Sequence, residues 1–406
     1  MTYIPPQQII ERYASVLVDF ALGGGRGVQP GEVVRVVAPE SAKPLYAELN
    51  RAVWRAGGHV IGAYQPDDFG ATNLARDFFQ MADGAQLDHL SSTYMRGLVD
   101  DMDHQVSVLA DADPHALDSV DPAKIMRRGE AMRPVIDWRG DKENAGKFTW
   151  TLGLYGTPGM AAEAGMTVEE YWEQIIHACF LDHEDPLAQW REVGERLDAT
   201  REQLNALEIE KLHVEGEDAN LWVSLGEHRR WLGGRGRNIP SFEVFTSPDW
   251  RGTEGWIYCN QPLYRYGNLV KGIRLQFADG RVTQASAEQN ERVLTEMIAT
   301  EGADRVGEFS LTDKRFSRIT RFMAHTLYDE NVGGAFGNTH IAVGRSYQDA
   351  YDGDPSAVTP EQWEHLGFNT SSVHTDIVST TDRVVTATLR GGEERVIYRN
   401  GEFQLD

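Results

Sequence analysis

At 406 residues the chain exceeds the size at which one hydrophobic core stops growing, so two domains are expected. With 41% hydrophobic and 25% charged residues the composition is globular, and it leaves little room for disorder, repeats or low-complexity tracts. A formal charge of -23, with no basic stripe to offset it, argues against a nucleic-acid partner.

After Pro6, apolar residues at 9, 10, 13, 16, 17 and 20 recur at helical spacing until glycines begin at 23, which predicts an amphipathic opening helix. The β-branched run EVVRVVA (32–38) reads as a strand, 45–56 as a helix and GHVIGA (58–63) as a second strand, so a parallel crossover is expected. Strands at 106–110 and 148–155 flank a helix at 122–132 and extend this α/β layer to about residue 160. Helices at 168–180 and 186–207 then serve as a connector.

From Leu212 the texture changes to strands punctuated by Asp-Gly and Gly-Gly hairpin signals, interrupted by one helix near 287–300. The expected architecture is an α/β N-terminal domain with its helical connector (1–207) and an α+β catalytic domain with a largely antiparallel sheet (208–406).

Two isolated cysteines, Cys179 and Cys259, support neither a disulfide framework nor a thiolate zinc cluster, and both read as buried small hydrophobes. The opening residues lack a basic segment followed by a long apolar one, and no stretch of about 18 apolar residues occurs. A cytoplasmic protein without a membrane partner is therefore expected.

Within SSVHTDIVSTT, the β-branched neighbours of His374 and Asp376 favour a strand, where residues two apart share a face. An imidazole and a carboxylate would project side by side, as suits a divalent cation, although the tripeptide alone fits a solvent-facing pair on an edge strand better. His340 follows a glycine-rich stretch (333–337) at the start of another short strand, and Tyr347 lies beyond Gly344, where a turn can return its phenol. Glu243 and Glu308 sit among apolar residues, where a carboxylate is costly unless a cation or hydrogen-bond donors compensate it. Four oxygen donors and two imidazoles suffice for two divalent ions sharing a bridging carboxylate. The spacing is not diagnostic, because only a fold gathers residues this far apart.

The segments NIPSFEVFTSPDWRGTEGW, PLYRYGNLVKGIRLQF, VGEFSL, LYDENVGGAFGNTHIAVGRSY and LGFNTSSVHTDIV resemble the metallopeptidase family that includes thermophilic aminopeptidase T and aminopeptidase S. The resemblance spans nearly the whole chain and is strongest after residue 235. It implies metal ligation by Glu243, Glu308, His340, Tyr347, His374 and Asp376, an N-terminal α/β domain covering a catalytic C-terminal domain, and a homodimer with an enclosed active site. Ser241-Phe242 before Glu243 and the glycine-rich insertion before His340 depart from the family pattern without removing a ligand.

The expected activity is release of the N-terminal residue from short peptides, or cleavage of a related amide, by water activated on two zinc, cobalt or manganese ions. Glu243 or Glu308 would bridge the ions or carry the proton, and Tyr347 would ligate a metal or stabilise the oxyanion. The alternative is a single non-haem iron on His340, His374 and Asp376 that opens an aromatic ring with dioxygen. Other features read as structure. Gly23 to Gly27 follows a helix and lacks the context of a phosphate cradle, while Asp100, Asp101, Asp103, His104, His183 and Asp185 read as solvated caps at helix borders. The segment 233–237 (GGRGR) reads as a loop whose arginines could face the active-site cavity.

Overall fold

A computed structural model describes residues 3–67, 70–234, 236–265 and 268–405. The chain forms two compact units, one of residues 1–191 and 235–239, the other of 192–234 and 240–406. The expected boundary after residue 207 thus differs from the packing, which divides the chain inside the helix Pro186–Ala206.

The first unit carries a four-stranded parallel sheet in the spatial order His59–Gln65, Val33–Pro39, His104–Leu109, Thr149–Leu154. In Val33–Pro39 burial alternates strictly, with Val34, Val36 and Ala38 inside, and the helix Lys43–Arg55 supplies Leu45, Leu49 and Val53 as buried partners. The helix expected at 122–132 runs instead from Pro122 to Asn144, through Pro134. Packing overrides the break: Val135 joins a core with Val99, Met102 and Phe148, and Lys142 donates to the carbonyls of Val99, Asp100 and Met102.

His104 corrects the reading of a solvated cap. It opens a strand, is buried, and bridges Thr149 through Nδ1 (2.7 Å) and Glu32 through Nε2 (2.8 Å). Asp103 accepts from Val33 N, Asp100 pairs with Arg96, and Asp185 accepts from Ala188 N at the start of a helix. Arg237 pairs with Glu143 at 2.8 Å and stands over Trp150, so its charge is matched inside the first unit. Arg235 lies outside the described residues.

In the second unit every described ladder is antiparallel. An eight-stranded sheet contains Ile209–Gly216, Ala219–Ser224, Asp249–Cys259, Ile273–Ala278 and Val384–Leu389 among its members. A five-stranded sheet has the order His374–Ser379, Asn338–Gly344, Val306–Thr312, Glu243–Thr246, Leu232–Gly233. Its two central strands are buried at every position. Phe309 and Leu311, and Ile341 and Val343, point to one face, whereas Glu308, Ser310, Thr312, His340, Ala342 and Gly344 point to the other. A sheet face that is both polar and buried needs a reason, since desolvating an unpaired charge costs several kcal/mol.

Among the described residues, no helix is long and apolar enough to cross a membrane.

Candidate metal centre

Three neighbouring strands assemble the polar face. Ala342 stands opposite Glu308 on one side and Asp376 on the other, while Gly344 stands opposite His374. Directly opposed residues share a face, so the small side chains of Ala342 and Gly344 leave room between the two carboxylates and the imidazole. His340 lies opposite Ser310, whose hydroxyl donates to Glu243 Oε2 at 2.8 Å. A register shift at Val306/Glu308 turns Glu308 onto this face.

The side chains converge. His340 Nε2 lies 3.2 Å from Glu243 Oε2, 3.3 Å from Glu308 Oε1 and 3.9 Å from Asp376 Oδ1. His374 Nε2 lies 3.5 Å from Asp376 Oδ1 and 3.7 Å from Glu308 Oε2. Two overlapping groups could each hold a metal ion: Glu243, Glu308 and His340, and Glu308, His374 and Asp376, with ligand atoms within 4.8 Å of one another in each. Glu308 belongs to both. Burial is nearly complete, with 6% exposure at Glu243, 3% at Glu308, 0% at His340 and 7% at Asp376. The Tyr347 ring packs edge-on to the His374 ring at 4.8 Å, and its backbone N–H donates to Ser247 Oγ.

Both imidazoles are oriented from behind. His374 Nδ1 donates to the Arg345 carbonyl at 2.8 Å, which leaves Nε2 facing the acids. Asn338 Nδ2 donates to the carbonyls of Glu330 and Val332, so its Oδ1 is the atom that faces His340 Nδ1 at 3.3 Å. His340 Nε2 therefore also points into the cluster.

The electrostatics are those of a cation site. Burial, reinforced by the Glu243 and Asp376 charges, raises the Glu308 carboxyl to about 7 despite a hydrogen bond from His340. Burial alone would lower both histidines; hydrogen bonds to Glu243 and Glu308 hold His340 well above its ordinary value, and the Asp376 charge carries His374 to about 9. Burial would raise Asp376, but the His374 charge and hydrogen bond outweigh it and bring it down to about 2. Like charges about 4 Å apart repel by about 4 kcal/mol at an effective dielectric constant of 20, so divalent cations fit this oxygen-rich, two-imidazole donor set.

One member of the site escaped the sequence reading. Glu330 is buried, hydrogen-bonds to Asp376, and is raised well above the usual carboxylate range by burial and by the charges of Asp376, Glu243 and Glu308. It caps the C-terminal end of the short helix Thr326–Asp329, and Asp-Glu-Asn two residues before a glycine reads locally as an exposed turn. Its only sequence signal is that this acidic turn lies within ten residues of His340.

The chain matches, from residue 6 to residue 403, the family model described as thermophilic metalloprotease (M29). Aminopeptidase T of Thermus thermophilus is 30% identical over 420 residues, covering 97% of this chain and 98% of the relative. The solved structure of wild-type AmpT from Thermus thermophilus superposes with a TM-score of 0.82 at 26% identity, covering 98% of this chain and 99% of that one. The 2,5-dihydroxypyridine dioxygenase of Pseudomonas putida KT2440 reaches 0.53 at 12% identity, covering 98% and 96%, which is a likeness of fold alone. A match of that extent, joined to a buried cluster of acids and imidazoles on one sheet face, makes this chain a member of the thermophilic metalloprotease family M29.

Proposed function

We propose that this metal-dependent hydrolase is an aminopeptidase that releases the N-terminal residue of short peptides, with its catalytic centre in the second unit. The observation that carries the reading is the sharing of Glu308 between two three-ligand groups, which suits a pair of ions rather than one. Glu243, Glu308, His340, Tyr347, His374 and Asp376 would hold two divalent cations, of zinc, cobalt or manganese. Such ions, when bound, supply a water of near-neutral pKa and a Lewis acid for the scissile carbonyl.

The chain's own residues do the rest. Asn338 and the Arg345 carbonyl keep both Nε2 atoms turned into the site. Glu308, with a carboxyl near neutrality, and Glu243, held by Ser310, are the candidates to carry the proton from water to the leaving amine. Tyr347, against His374, is placed to ligate a metal or to donate to the oxyanion. A single iron on His340, His374 and Asp376 would leave Glu243 and Glu308 without a task, which disfavours the ring-opening alternative. A homodimer is proposed on the family resemblance alone. A cytoplasmic location is proposed from the two buried cysteines, Cys179 and Cys259, which are not joined in a disulfide.

The test is metal analysis of the purified chain with a screen of aminoacyl and dipeptide substrates. The expected result is about two ions per chain and hydrolysis of substrates with a free amine. One ferrous ion with oxygen consumption, or undiminished hydrolysis after metal removal, contradicts the proposal.

A further inference from the structure

We propose that Arg229 is a positioning residue for Tyr347, fixing the backbone from which that ring packs against His374; the proposal rests on the aminopeptidase reading above, which gives Tyr347 its role. The Arg229 guanidinium donates to three main-chain carbonyls, from Nε to Ser247 at 2.6 Å, from Nη1 to Glu227 at 2.7 Å and from Nη2 to Leu366 at 2.6 Å. It also stacks on the Phe368 ring, with Cζ 3.7 Å from the centroid. Burial lowers its pKa to about 10, so it stays charged at neutral pH. A planar fork on three carbonyls fixes backbone positions more firmly than a single ammonium does.

Two of those carbonyls belong to the segments that hold Tyr347. Ser247, fully buried and directly after the strand Glu243–Thr246, accepts the Tyr347 N–H on Oγ at 2.8 Å. Asn369, in the segment that begins at Leu366, accepts the Ser346 N–H on its carbonyl at 2.9 Å and donates its own N–H to Ser346 Oγ at 2.9 Å. The guanidinium thus bridges the two segments that hold consecutive peptide groups, those of Ser346 and Tyr347. Arg230 secures the turn Gln348–Ala350 that follows: its Nε donates to the Asp349 carbonyl at 2.8 Å and its N–H to the Ala350 carbonyl at 2.9 Å.

Tyr347 needs such a holder because the ladder between its strand and the His374 strand ends at Gly344. Its ring lies edge-on to Phe245 at 5.8 Å and to His374 at 4.8 Å, so a small backbone shift changes how the phenol meets the centre. A misplacement of about 1 Å at a reacting group costs on the order of 100-fold in rate.

The test is a double-mutant cycle on the cobalt-loaded chain, read by steady-state kinetics on a leucyl substrate and by the visible absorption of the bound cobalt. Arg229→Lys keeps the charge but loses the fork. It is expected to lower kcat about tenfold, to change KM less than about twofold, and to shift the cobalt spectrum in the direction that Tyr347→Phe shifts it. In the Tyr347→Phe background the same substitution should change kcat less than about twofold and leave the spectrum unmoved. Ser247→Ala cuts the link while sparing the guanidinium, should behave alike, and carries the cycle if Arg229→Lys does not fold. A loss equally large with and without the Tyr347 phenol overturns the proposal in either cycle, since a merely structural role is additive, and so does an Arg229→Lys chain with wild-type rate and spectrum. A Tyr347→Phe chain that matches wild type in both readouts also overturns it, while the aminopeptidase reading stands. A wild type that hydrolyses no aminoacyl substrate removes that reading, and the cobalt spectra still report whether Arg229 positions Tyr347.

Discussion

Glu308 carries the tension of the site in one side chain. Burial and the acids around it raise its carboxyl from 4.5 to about 7. A carboxyl whose pKa is raised on folding contributes stability at low pH, and that contribution is lost as pH rises through about 7. At pH 8 the metal-free chain therefore holds an ionised Glu308 among Glu243 and Asp376, at a cost of up to about 3 kcal/mol. Glu308→Gln removes that charge but also the carboxylate shared by both ligand groups. The metal-free variant is expected to melt higher than the metal-free wild type at pH 8, to gain less from added metal, and to lose about 1,000-fold in kcat/KM, or about 4 kcal/mol. Thermal melts with and without chelator, together with steady-state kinetics, check all three. A variant that binds two ions and keeps full activity would contradict the shared-ligand assignment.

At the scale of the strand, the site depends on small residues as much as on ligands. Gly344 has φ +104°, and a Cβ there would lie 2.1 Å from the Val373 carbonyl oxygen, immediately before His374. Gly344→Ala is therefore expected to destabilise the chain by more than about 1 kcal/mol and to weaken metal binding by moving the His374 strand away from the His340 strand. Denaturant unfolding and metal titration read the two effects, and an alanine variant with unchanged stability and affinity rejects this role. The glycine insertion is anchored in a similar way: at Gly337 an added Cβ would meet the Tyr398 hydroxyl at 2.1 Å, and that hydroxyl lies 2.9 Å from the Thr312 carbonyl.

These elements also show what could be read in advance. His374 and Asp376 were legible because the two-residue strand period is a local rule, and the strand His374–Ser379 obeys it. Glu243 and Glu308 were legible as acids in apolar surroundings, whereas the register shift that aims Glu308 depends on its partner strand and leaves no local trace. Glu330 was not legible, since its burial arises from contacts with Asp376 and Asn338 rather than from its neighbours in sequence. The long helix Pro122–Asn144 escaped for the same kind of reason, because packing around Val135 and Lys142 overrides Pro134.

For the whole molecule, protons and metal ions compete for one buried cluster. The Asp376 charge raises His374 to about 9 in the metal-free chain, so its contribution to stability is full below about 6.5 and is lost as pH rises through about 9. Ligation requires the neutral imidazole, so metal binding releases protons and strengthens with pH. The rise in Tm on adding metal is expected to be larger at pH 8 than at pH 6, and the stabilisation behind it approaches about 4 kcal/mol per site when metal exceeds its Kd about 1,000-fold. Melting curves at the two pH values decide it, and an equal or smaller rise at pH 8 contradicts the exchange of protons for metal. The formal charge of -23 works in the same direction by favouring cations near the surface, weakly at physiological salt.

The central claim is a paired-cation site, and anomalous diffraction at the zinc edge from crystals of the zinc-loaded chain tests it most directly. Two peaks are predicted, one beside Glu243 and His340 and one beside His374 and Asp376, with the Glu308 carboxylate between them. A single peak confined to His340, His374 and Asp376, or peaks away from these side chains, would contradict it.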